Sequence, residues 1–77
     1  MILVDKTENY VNNLDSISDS AIYAFNGTSV TGKPSFNQGL VFSVYFSKWG
    51  DIQIAFNVGT GNDKFAYRIQ KEGWIYV

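Results

Sequence analysis

The chain has 77 residues with six Lys and Arg against seven Asp and Glu, a net charge of −1, and neither Cys nor His. That length describes one domain with little interior to bury. The missing residue types exclude disulfides, Cys/His zinc sites and Ser-His or Cys-His nucleophilic pairs. One Arg and no basic stripe leave out the electrostatic footprint of nucleic-acid binding. No apolar run approaches membrane-span length, and Met1 to Val4 is too short for the apolar core of a signal peptide.

Residues 1–14 read as a polar lead-in or linker end, with Met1 to Val4 as a candidate edge strand. The stretch through Ser20 is rich in Asn, Asp and Ser, which disfavour a long helix. Tyr10, Leu14 and Ile17 follow a helical spacing over one short turn, and Leu14 and Ile17 are expected to tuck against a sheet. The domain proper is expected over residues 15–77. Ala21 to Phe25 is the first strand candidate, stopped by Asn26-Gly27. A loop to about Gln38 follows, with Phe36 as the apolar residue that pins it.

From residue 39 the period is two. Leu40, Phe42, Val44 and Phe46 share one face, and Ser43, Tyr45 and Ser47, with Val41, share the other. Ile52, Ile54, Phe56 and Val58 alternate with Gln53, Ala55 and Asn57. Phe65, Tyr67 and Ile69 alternate with Lys64, Ala66, Arg68 and Gln70. The links Lys48-Trp49-Gly50, Gly59 to Asp63 and Lys71-Glu72-Gly73 are short and contain Gly, so successive strands should be hairpin partners. The last strand is Gly73 to Val77. The class is all-β: a small antiparallel sheet or sandwich of about five to six strands. Its apolar face is expected to be covered and its mixed face wet.

No residue constellation suggests catalysis, and the chain is read as a non-enzyme without cofactor or metal. Asp51, Asp63 and Glu72 read as solvated turn residues. Gly59-Thr60-Gly61 reads as a hairpin turn, since a strand rather than a helix follows it. Trp49 is the leading binding candidate, because a bulky ring in a tight link is not required by the hairpin. It either presents that ring to a sugar or partner, or folds back on the sheet. Tyr45, Gln53 and Asn57 on the mixed face supply a ring and amides for a glycan. Arg68 is expected to pair with a carboxylate or stack on Trp74, and Arg68, Trp74 and Tyr67 are read as structural.

Residues 14–77 resemble the pyocin-type knob domains of phage tail fibres and baseplates. The resemblance rests on Ala21-Ile22-Tyr23, a loop with Lys33-Pro34, Gly39 to Val44, Gln53-Ile54, Tyr67-Arg68 and Gly73-Trp74. The chain departs from that pattern before Tyr23 and in ending Trp74-Ile75-Tyr76-Val77. The resemblance implies a small β domain displayed as a homotrimer on the virion, extracellular at the host. Its role would be attachment to a cell-wall polysaccharide or, alternatively, purely structural trimerisation or capping of a fibre. The absence of stapling groups in so small a domain also points to association.

Overall fold

The computed structural model describes residues 2–77, so Met1 lies outside the described residues. Six strands form one sheet in chain order: β1 Val4–Tyr10, β2 Ala21–Asn26, β3 Gln38–Phe46, β4 Gly50–Asn57, β5 Phe65–Ile69 and β6 Ile75–Tyr76. The protein is all-β, as the alternation predicts. The β2 to β6 pairs are antiparallel, whereas β1 runs parallel to β2. Residues 4–10 are therefore an integral strand rather than a lead-in. A polar sequence can form an edge strand because its backbone needs partners on one side only. Lys6 Nζ braces it at 2.6 Å from Asp19 Oδ2.

The crossover from β1 to β2 lies over one face of the sheet. It contains a single 3-10 turn, η1, Leu14–Ser16, whose first amides are capped by Asn13: its side chain accepts from Asp15 N at 2.9 Å. Leu14 and Ile17 are buried, as expected. Backbone bonds from Leu14 N to Thr31 O and from Thr31 N to Asn12 O, both 2.8 Å, tie this crossover to the β2–β3 link. That link buries Val30 and Phe36 on the same side, with Phe36 stacked 6.2 Å from Phe25. Two irregular segments thus form the second layer.

The covered face is the mixed one, the reverse of the sequence expectation. Its cross-strand rows are Ala21, Ser43, Gln53 and Arg68, and then Tyr23, Val41, Ala55, Ala66 and Tyr76. Ala55, Ala66, Val41, Ser43 and Gln53 are all buried. Small side chains there let the overlying loops come close to the sheet, and Leu14, Ile17, Phe25, Val30 and Phe36 fill the space. The large aliphatic and aromatic side chains of β3, β4 and β5 point the other way, where no second layer lies on them.

The β5–β6 hairpin uses an unusual turn. Gln70 and Lys71 both have positive φ, 55° and 60°, and Glu72 N donates to Ile69 O at 3.1 Å. Two left-handed residues match the twist of a two-residue hairpin, although Asn-Gly would fill them with less strain. Both side chains are tied down: Gln70 Nε2 donates to Trp49 O at 2.7 Å, and Lys71 pairs with Asp51. Strand β6 is two residues long because Trp74 turns out of the ladder onto the covered face.

Candidate functional site

The uncovered face carries three apolar rows. The longest crosses five strands as Ile22, Phe42, Ile54, Tyr67 and Ile75. Beside it lie Leu40, Phe56 and Phe65 on one side, and Val44, Ile52 and Ile69 on the other. Phe56 makes an edge contact with Phe42 at 5.6 Å and stacks on Phe65 at 5.7 Å, so the aromatic side chains form one connected surface. Ile54 is 37% exposed, Phe56 40% and Ile69 52%. A contiguous patch of this extent exceeds the scattered apolar residues of an ordinary monomer surface.

The residues expected to bind a ligand do not come together. Gln53 is 1% exposed, and no ligand reaches it. Its Nε2 donates to Leu14 O at 3.1 Å and its Oε1 accepts from Arg68 Nε at 2.8 Å. Asn57 stands at the far end of β4 and braces the β4–β5 link: its Nδ2 donates to Thr60 O at 3.0 Å and Asp63 O at 2.8 Å, and its Oδ1 accepts from Gly59 N at 2.8 Å. Tyr45 and Trp49 lie at the opposite end, both exposed. Trp49 is 68% exposed, with Lys48 Nζ 5.4 Å from its ring centroid. Its ring stands clear of the sheet rather than folded back.

Arg68 meets both structural expectations. It is buried, its Nη1 lies 2.9 Å from Asp15 Oδ1, and its Cζ lies 4.6 Å from the Trp74 ring. Trp74 Nε1 in turn donates to Gly32 O at 2.8 Å. The cluster holds η1, the β2–β3 link and the chain after β5 to one spot on the sheet. Ser43 Oγ and Arg68 Nη2 are buried there without a hydrogen-bond partner among the described residues. Tyr67 faces the other way, on the apolar face between Ile54 and Ile75.

Asp51 is not a solvated turn residue: it is 3% exposed and ion-paired with Lys71. Asp63 does lie at the surface, where it accepts from Ser35 Oγ at 2.9 Å. At the β1–β2 junction, the Lys6 and Tyr23 hydrogen bonds hold the Asp19 carboxyl below the usual carboxylate range. Burial, and then the hydrogen bond to Asp19, push the Tyr23 phenol up. Among the described residues no group of three Asp or Glu gathers as a metal site, and no helix is long and apolar enough to cross a membrane. A cleft of about 230 Å³ opens between the β2–β3 and β4–β5 links, lined in part by Asn26, Asn37, Gln38 and Thr60. Sequence reading missed it because its walls come from two distant links.

Comparison with protein-family models, curated proteins and solved structures finds no match to this chain.

Proposed function

We propose that this chain is a non-catalytic assembly module, a knob-like unit of a phage tail fibre or baseplate, which joins its assembly through the apolar sheet face. The observation that carries this reading is the apolar row Ile22, Phe42, Ile54, Tyr67 and Ile75, which crosses five strands with no second layer over it; Ile54 and Ile75 are exposed and the other three half-buried. Such a face is costly to keep in water, at about 25 cal/mol per Å² of apolar surface. It is the kind of surface that permanent interfaces bury. The sequence resemblance supplies the fibre setting and an extracellular, virion-borne location.

Sedimentation over rising protein concentration, with an apolar reporter dye in parallel, tests the reading. Association or dye binding that Phe42→Glu abolishes is expected. If wild type and variant both sediment as monomers and neither binds dye, the face is not an interface and the reading is lost.

The exposed Trp49 ring favours a second activity on the same module, attachment to a host-wall polysaccharide. Tyr45 at the same end of the sheet would add a second ring. Gln53 has no part in it, being buried, and Asn57 lies at the opposite end.

A further inference from the structure

We propose that the open face is covered by the same face of a second copy of this chain, the two sheets packing about a two-fold axis that passes close to Ile54. The inference rests on the reading of this face as an interface and names its occupant.

Three observations support a second copy. The first is area. Eleven large side chains in three adjacent rows face outward together, five of them between 37% and 52% exposed, a continuous face suited to the about 800 Å² per partner of a standard interface. The second is chemistry. Apart from the Tyr67 hydroxyl, the three rows hold only hydrocarbon side chains, so the face resembles half of a domain core. With nothing charged to read on a different partner, its complement is a surface of the same kind. A lipid surface is less well matched, because a net charge of −1 gives no attraction to anionic headgroups. The third is the interior this domain lacks. On the sheet side its core is lined largely by Ala21, Ser43, Gln53, Ala55 and Ala66, so Leu14, Ile17, Phe25, Val30 and Phe36 supply most of its apolar volume. A second sheet supplies the missing layer.

The distribution of side-chain lengths selects two copies over three. Ile54 lies on the middle strand of the face, between the longer Phe42 and Tyr67 across the strands and next to Phe56 along β4, while Ile52 lies in the aliphatic row between Val44 and Ile69. Two facing sheets lie about 10 Å apart, and medium-length aliphatic side chains fill that gap at the centre. Around a three-fold axis the middle of each face is its farthest point from the neighbouring sheets, and the longest side chains would belong there. A two-fold arrangement is isologous, so the residue nearest the axis meets its own copy. Ile54 is that residue, central in its five-residue row.

The chain contains no Cys, so one introduced thiol reports position without interference. Ile54→Cys is expected to form a disulfide-linked dimer readily under mild oxidation, while Thr28→Cys, exposed on a link, stays unlinked. Wild type is expected to sediment as two copies. Ile54→Lys is expected to sediment as one copy and to retain the β-sheet circular dichroism, since Ile54 takes no part in the covered core. Tyr67→Lys gives the same readout should Ile54→Lys fail to fold. A mass of three copies, or a dimer in which Ile54→Cys does not link, overturns the two-fold pairing while leaving the face an interface. A wild-type monomer that binds the apolar dye shows that a different partner covers the face, and overturns the inference alone. A monomer that binds no dye overturns this inference and the function it rests on.

Discussion

Gln53 Oε1 accepts a hydrogen bond from Arg68 Nε at 2.8 Å across the β4–β5 pair, beneath the η1 crossover. With its Nε2 donating to Leu14 O, the one amide couples the sheet to its second layer. Replacing it by Leu leaves a buried guanidinium donor and a buried carbonyl unpartnered. Gln53→Leu should lose about 2–3 kcal/mol of stability, as read from urea unfolding. Gln53→Glu, which keeps the acceptor for Arg68 and removes the donor to Leu14, should lose less if the Arg68 bond is the stronger of the two.

Lys71 holds Asp51 where the carboxylate has almost no access to water. Lys71→Ala should cost about 1–3 kcal/mol, because the remaining charge is left in the interior. The double variant Asp51→Asn with Lys71→Ala should recover part of that loss. Strict additivity of the two single effects in a double-mutant cycle would show that the pair is not coupled.

Gly32 has φ +75°, and its carbonyl accepts from the Trp74 indole. A Cβ there would press on the Asp15 carboxylate and drive it from Arg68. Gly32→Ala should therefore lose about 1–3 kcal/mol, with a change in Trp fluorescence as the Trp74 contact is disturbed. Gly27→Ala, where a Cβ meets open space, should cost only its backbone strain, at φ +143°.

The Lys6–Asp19–Tyr23 cluster sets a pH window for the β1 edge. The folded Asp19 pKa is depressed, first by Lys6 and then by Tyr23. Its contribution is present above the unfolded value of about 3.9 and is lost as pH falls through the folded value. Lys6 and Tyr23 are raised, so their contribution is complete below about pH 10 and is lost as pH rises through the folded values. Amide exchange in β1 should accelerate at both extremes. Asp19→Asn should remove the acid limb, and its persistence in that variant would assign it to another carboxylate.

Trp49 makes no part of the core, and Trp49→Ala should change stability by less than about 0.5 kcal/mol. Its removal should weaken pulldown on intact cell walls. Equal retention of wild type and variant would take Trp49 out of any glycan site.

The strands were legible because alternation over Leu40 to Phe46, Ile52 to Val58 and Phe65 to Ile69 fixes which residues share a face. It does not say which face is covered. That depends on Leu14, Ile17, Val30 and Phe36: the spacing of Leu14 and Ile17 and the lone Phe36 point to burial, but nothing in two irregular segments says against which face of the sheet. One signal was present: Ala21, Ala55 and Ala66 recur on the face opposite the aromatic residues, and a run of small residues suits a close second layer. The pairing of Arg68 with a carboxylate and Trp74 could be expected from residue type, but its partner Asp15 lies in the polar stretch that gave no pattern. Gln53 follows the strand period, and nothing in that period distinguishes a buried bridging amide from a wet one. The parallel pairing of β1 was hidden because an edge strand requires no apolar side chains of its own.

Strand β1 ends the sheet with Asp5, Lys6 and Glu8, and β6 ends it with two residues. Charged side chains at one border and a stub at the other make poor templates for a further strand. Lateral growth of the hydrogen-bond ladder, the route to fibrils, is thereby discouraged on both sides. A sequence with this much exposed hydrocarbon thus confines its stickiness to a plane, where stacking ends once that plane is matched.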